Sequence, residues 1–200
     1  YSVSAEQAGP VLRAMELAGY DAIAAGDQDV YFSGFREALG GGKLPIIASN
    51  LAWKAGITGP AGMADKTAVL GGVKVRILSY ISPDTFSLYP ESFIAKLEFK
   101  GLKDALKDGK NADFLILLYH AAPEETAKIA EEFKEFDLII GGHSQDALGK
   151  PSKAGNALIV HSGGNLERAG RLVLRFDAAK KLSSHTYELV SLTNDIPDDP

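Results

Sequence analysis

The sequence predicts an α/β fold in which two mixed β-sheets are flanked by helices. Through the middle of the chain, apolar strand-like runs alternate with amphipathic helical segments, the pattern of strand and helix packed in layers. Hairpin signals at Lys66 to Ile81 and after Leu158 interrupt that alternation, so a purely parallel, doubly wound sheet is not expected. A third observation places a site. Three apolar runs each deliver ligand-type side chains at their carboxyl ends, the edge of an open α/β sheet where ligands collect.

The composition suits one globular core: 46% of the 200 residues are hydrophobic and 24% charged. One domain is expected over residues 1–193, followed by an acidic, proline-bearing tail from Asn194 to Pro200 with the composition of a linker. The formal net charge is −5, with lysines and arginines scattered among acids. That leaves no basic stripe of the kind nucleic acid or an anionic membrane requires. The absence of cysteine excludes disulfides, thiolate zinc sites, haem attachment and cysteine nucleophiles within this chain. No apolar run approaches membrane-spanning length. With Tyr1 first and neither an initiator methionine nor a signal sequence, the chain reads as an excised or processed fragment.

Taken in order, Ser4-Ala-Glu-Gln7 has capping-box spacing, but Pro10 would then fall inside the helix; the alternative start places Pro10 in the first turn. Either helix ends at Gly19, which suits a left-handed C-terminal cap. Asp21 to Ala25 predicts a first strand and Gly26-Asp27-Gln28-Asp29 the loop at its end. A short helix from Ser33 through Ala38 follows, closed by Gly40-Gly41-Gly42. Pro45 to Ser49 predicts the next strand, with Asn50 at its end and Trp53 beyond it in a packing role. Lys66 to Leu70 and Val73 to Ile81, joined by Gly71-Gly72, give the clearest hairpin. Glu91 to Lys110 predicts a charged amphipathic helix with Phe93, Ile94, Leu97, Leu102 and Leu106 on its apolar face and a weak point at Gly101. A strand over Asp113 to Tyr119 leads to a helix from Pro123 to Phe136, with proline in its first turn and acids at its positive end. Leu138 to Ile140 predicts a buried strand that breaks at Gly141-Gly142. The rest comprises strands at Ala157 to Val160, Arg171 to Phe176 and near His185 to Leu192, with a turn at Ala178 to Lys181.

The candidate site comes from the ends of three of these strands. Ala22-Ile-Ala-Ala-Gly-Asp27-Gln28-Asp29 ends in carboxylates and an amide, Phe114-Leu-Ile-Leu-Leu-Tyr-His120 in a histidine, and Asp137-Leu-Ile-Ile-Gly-Gly-His143-Ser-Gln145-Asp146 in a histidine, an amide and an acid. One histidine after an apolar run is usually a core residue or a loop cap; three such blocks in one chain point instead to a shared site. His161 follows another strand and stands either at the rim of that site or as a hydrogen-bonded loop histidine. His185 lies in a polar run and is expected to be exposed.

The order of these blocks resembles the calcineurin-like metallophosphoesterases, most closely the amino-terminal domain of secreted 5′-nucleotidases. The likeness continues through Val160-His161-Ser162-Gly163-Gly164 and Gly170 to Asp177, and spans nearly all of the chain. It implies a sandwich of two mixed sheets and a site for divalent metal, whether manganese, zinc, iron or magnesium. It also implies ligand roles for Asp27, His120 and His143 at one ion and for Gln145 at another. Gln28 stands at the family's catalytic histidine; Asp29 and Asn50 are candidate rim or outer-sphere positions, Asp146 is either a loop acid or an outer-sphere partner, and His161 is the rim candidate already named. The family's Asp-x-His block and bridging aspartate fall upstream of Tyr1, so the first strand motifs are expected to be missing. A phosphate ester or nucleotide is the implied small-molecule partner, with further domains in the native protein and a periplasmic or extracellular location.

Two functions follow from different classes. One is a metal-dependent phosphoester hydrolase with an altered catalytic position at Gln28. The other is a degenerate, non-catalytic ligand-binding or interaction module of a larger extracytoplasmic protein. A glutamine donates a hydrogen bond to phosphate but exchanges no proton near neutral pH, and general acid–base help is worth about 10²–10⁴-fold.

Overall fold

The computed structural model describes residues 5–33, 44–57, 62–107 and 111–196. It is a mixed α/β fold with multi-strand mixed sheets flanked by helices. Residues cluster in two compact units, one of Tyr1–Thr67, Arg76–Asn111 and Leu118–His120, the other of Ala68–Val75, Ala112–Leu117 and Ala121–Pro200.

In the first unit, helix α1 spans Ala5–Ala18 with Pro10 inside it. The helix therefore starts upstream of the proline, at the loss of one i→i−4 hydrogen bond. Gly19 ends it in the left-handed region at φ +66°, where only glycine is unstrained. Strand β1 (Ile23–Ala24) pairs in parallel with β2 (Ile46–Ile47), and helix α2 (Asp27–Tyr31) follows β1 directly. The expected helix ending at Gly40-Gly41-Gly42 lies almost wholly outside the described residues.

The long amphipathic helix expected over Glu91 to Lys110 is not formed. Helix α3 (Glu91–Ile94) stops, the chain extends through Leu97–Phe99, and helix α4 (Leu102–Lys107) begins after Gly101. Leu97–Phe99 pairs antiparallel with Leu51–Trp53, a strand pair whose members are too short to announce themselves by periodicity. In chain order these are β3 (Leu51–Trp53) and β6 (Leu97–Phe99). Cross-strand hydrogen bonding and the burial of Leu97, only 3% exposed, outweigh the local helix pattern.

Ala25, Val30, Ile81, Phe86, Phe93 and Leu97 form the core of this unit, with Tyr31, Trp53, Tyr89 and Phe99 packed on it. Trp53 stands edge-on to Phe93 at 6.2 Å, a packing role. Arg76 is buried, but Asp65 Oδ2 accepts from its Nε at 2.7 Å, the Leu106 carbonyl from Nη1 at 3.3 Å and the Ala105 carbonyl from Nη2 at 3.1 Å. A buried charge is tolerable when its donors are satisfied in this way.

Lys66–Leu70 (β4) and Val73–Ile81 (β5) form the expected hairpin, with Gly71 and Gly72 at φ +56° and +85°. Both turn residues need positive φ, the type I′ requirement. The remaining elements are β7 (Phe114–Ala121), α5 (Pro123–Glu132), β8 (Leu138–His143), β9 (Ser152–Ala154), β10 (Ala157–Val160), β11 (Arg168–Phe176) and β12 (Leu182–Ser191). Strand order in the largest sheet is β4-β5-β7-β8-β10-β9. β10 runs parallel to β8, placing Leu158, Ile159 and Val160 beside Leu138, Ile139 and Ile140, and antiparallel to β9. Asp137 ties β7 to the start of β8, accepting from the Leu115 N–H at 2.8 Å while its own N–H donates to the Leu115 carbonyl. β11 and β12 form a separate antiparallel pair, closed by Asp177 and the left-handed Lys180.

Candidate functional site

In the first unit, β1 ends at Ala24 and α2 starts at Asp27, so the carboxylate stands at the carboxyl end of the strand. Asp27 is 6% exposed, and both of its oxygens are engaged. Oδ1 lies 2.8 Å from His120 Nε2, and Oδ2 accepts a hydrogen bond from the Tyr89 hydroxyl. Gly26 lets the imidazole lie this close: a Cβ there would meet His120 Cε1 at 3.1 Å. The Gly26 N–H donates to Asp29 Oδ2 at 2.9 Å, turning Asp29 back over the start of the helix. Burial pushes the Asp29 carboxyl up, against the opposing pull of the Gly26 hydrogen bond and of His120. The Tyr89 hydroxyl is likewise raised above the ordinary tyrosine value, by burial first and by donation to Asp27 second.

The second unit carries the other ligand-type residues. β8 does not break at the two glycines; it continues through Gly141 and Gly142 to His143. The left-handed backbone falls on His143 and Gln145 instead, at φ +78° and +61°. A non-glycine residue there costs about 1–3 kcal/mol and is tolerated mostly where function holds it. The glycines serve contact. A Cβ on Gly141 would lie 2.0 Å from His161 Cε1 and Nε2, and one on Gly164 would lie 2.6 Å from Gln145 Cγ. His161 is 2% exposed, and its Nε2 finds no hydrogen-bond partner among the described residues, nor does Ser144 Oγ. The His161 carbonyl accepts from the Leu148 N–H at 2.9 Å and the Tyr187 hydroxyl at 3.2 Å. Burial pushes the His161 pKa down, with Asp146 pulling weakly the other way.

That depression has a sign. The unfolded chain binds a proton at His161 near pH ~6.5 while the folded chain binds it only at lower pH, so between those values the unfolded state holds more protons. Stability from the buried neutral imidazole is complete above the unfolded value and is lost as pH falls through the window below it. Urea midpoints at pH 7.5 and 5 should therefore fall further for the native chain than for His161→Gln, and equal falls would contradict the burial account.

Among the sequence-predicted residues, then, Asp27 and His120 meet, and Asp29 supports Gly26 beside them. Gln28 is exposed on α2. Asn50 is 1% exposed and commits its amide to the backbone of Ile81, accepting at 3.0 Å and donating at 2.9 Å. His143, Gln145 and Asp146 are exposed at and after the end of β8, and His185 is exposed on β12. Tyr89 was not anticipated. It is 62 residues from Asp27 in sequence and falls in a loop with no periodic pattern, so only its aromatic neighbourhood hinted at burial.

The chain superposes on the calcineurin-like phosphoesterase YfkN from Bacillus subtilis with a TM-score of 0.70 at 17% identity, covering 94% of this chain and 69% of that one. The fold is likewise similar to that of 5′-nucleotidases. A putative 5′-nucleotidase from Staphylococcus aureus matches with a TM-score of 0.78 at 17% identity, over 96% of this chain and 42% of that one. In sequence the chain is 26% identical over 167 residues to Protein UshA of Yersinia enterocolitica, covering 72% of this chain. It spans only 30% of that relative's length. No protein-family model matches it. No helix among the described residues is long and apolar enough to cross a membrane.

Proposed function

We propose that this chain is a metal-dependent hydrolase domain acting on a phosphate ester, nucleotides included, with one divalent ion held at the Asp27–His120 pair and with His143 assigned to the same ligand set by the likeness of the sequence blocks alone. The observation that carries the reading is the pairing of Asp27 with His120, delivered from 93 residues apart to the ends of separate elements. The donor set of one carboxylate and imidazole nitrogens suits manganese, zinc, iron or magnesium to different degrees. Such an ion, when bound, polarises a phosphoryl oxygen and lowers the pKa of bound water. Gln145, held in strained backbone, is the candidate ligand to a second ion. Gln28, exposed beside Asp27, supplies a hydrogen bond to phosphate without a transferable proton. Asp29 holds the loop through Gly26, and Asp146 and His161 stand behind the end of β8. The resemblance of its sequence blocks to secreted 5′-nucleotidases supports an extracytoplasmic location and further domains in the native protein.

A second reading, a non-catalytic ligand-binding module of the same fold, is favoured by Gln28, which cannot serve as general acid. Isothermal titration with manganese and with zinc, run beside hydrolysis of p-nitrophenyl phosphate and a nucleoside monophosphate, separates the two. The expected result is one saturable ion per chain, weakened at least 10–100-fold by His120→Ala or His143→Ala. A native chain that takes up neither ion sinks both the ligand set and the hydrolase. Saturable binding without turnover favours the module.

A further inference from the structure

We infer that Tyr89 is a positioning residue for the cation site proposed at Asp27, holding that carboxylate so that it presents a single oxygen; this rests on the ligand set above. The Asp27 carboxylate is buried and divided, with Oδ1 at 2.8 Å from His120 Nε2 and Oδ2 accepting from the Tyr89 hydroxyl. A carboxylate with both oxygens available can rotate and chelate an ion through two atoms. With Oδ2 taken by a phenol, it is confined to one-oxygen coordination and its plane is fixed. The donated proton also draws negative charge away from the oxygen facing the site, which eases the approach of a phosphate dianion to a buried acid.

Tyr89 is itself located by contacts that tie it to the same element. Its N–H donates to the Phe86 carbonyl at 2.9 Å, and its ring packs on Tyr31 at 4.6 Å and on Phe86 at 5.5 Å between centroids. Tyr31 lies on α2, one helical turn after Asp27. The ring that sets the position of the hydroxyl is therefore fixed to the short helix that carries the carboxylate, so donor and acceptor move together. A hydroxyl wanted only for solubility would need no such registration, since the edge of the ring cluster is only partly buried.

Tyr89→Phe keeps the ring, its packing and the backbone while removing the one donor. Manganese and zinc are titrated calorimetrically into the native chain, Tyr89→Phe, Asp27→Asn and the double variant, with thermal melts confirming that each is folded. Removal of such an outer-sphere partner is expected to weaken ion affinity about 10–100-fold. In the Asp27→Asn background the same change should alter affinity less than about threefold, because the carboxylate through which Tyr89 acts is gone. Equal affinities for the native chain and Tyr89→Phe overturn the inference alone. So does an equal loss in the Asp27→Asn background, which would mark a general structural effect. A native chain that binds neither ion overturns this inference together with the ligand set.

Discussion

Gly141→Ala should destabilise the protein by about 2–3 kcal/mol, at the upper end for adding one methyl group to a packed interior. The added Cβ would stand 2.0 Å from two atoms of the His161 ring. His161 is 2% exposed and follows β10 directly, so its ring has little room to swing away. Parallel pairing sets Val160 beside Ile140, which brings His161 level with Gly141 on the next step. Ile139 and Ile159, one pleat earlier on the same face, are 0% and 3% exposed. Backbone movement to relieve the clash would therefore disturb a filled core. Urea denaturation measures the cost. The double variant Gly141→Ala/His161→Ala should recover more than about 1 kcal/mol relative to the sum of the two single changes, since the methyl group then enters the space of the missing ring. Additive losses would mean that Gly141 is required for strand geometry and not for the imidazole.

This contact also explains why part of the site was illegible in the sequence. A glycine pair after Leu-Ile-Ile reads locally as the end of a strand, because glycine disfavours extended structure and permits turns. Gly141 instead continues β8, and it has to be glycine because a histidine twenty residues later occupies its side-chain space. The backbone reversal falls on His143 and Gln145, where no sequence rule would place it. The segment Glu91 to Lys110 misleads for the same reason: its apolar spacing is helical, yet Leu97–Phe99 finds a strand partner in Leu51–Trp53, about 45 residues upstream. Tyr89 belongs with these, a long-range donor with no local pattern. Local chemistry, by contrast, was legible. Gly71-Gly72 needed positive φ for a two-residue turn and has it, and Pro123 opens its helix at the position where a missing N–H costs nothing. The blocks ending in Asp27 and His120 could be read because each side chain is positioned by its own strand end, and their order along the chain carried the likeness to the 5′-nucleotidase kind of fold.

Gln28→His is expected to raise phosphomonoester hydrolysis by about 10²–10⁴-fold if the proposed hydrolase is limited by proton supply to the leaving oxygen. Gln28 is the second residue of α2, exposed and adjacent in sequence to Asp27, so an imidazole there would stand in solvent beside whatever Asp27 and His120 hold. Exposure keeps its pKa near the ordinary histidine value of ~6.5, suitable for donating a proton at neutral pH. The gain should accordingly bring a new limb to the rate profile, turnover falling as pH rises through ~6.5–7 and the imidazolium is lost. Ion affinity should change little, because residue 28 is not among the proposed ligands. Turnover of p-nitrophenyl phosphate and of a nucleoside monophosphate, measured from pH 5 to 9 with saturating manganese, tests all three expectations. The two substrates differ in what they ask of the enzyme: p-nitrophenolate leaves readily without a proton, whereas a ribose alkoxide does not, so the gain should be much larger for the nucleotide. Unchanged turnover of both at full ion occupancy would count against the hydrolase and for the ligand-binding module. Fast nucleotide hydrolysis by the unaltered chain would show instead that a proton reaches the leaving oxygen from another group.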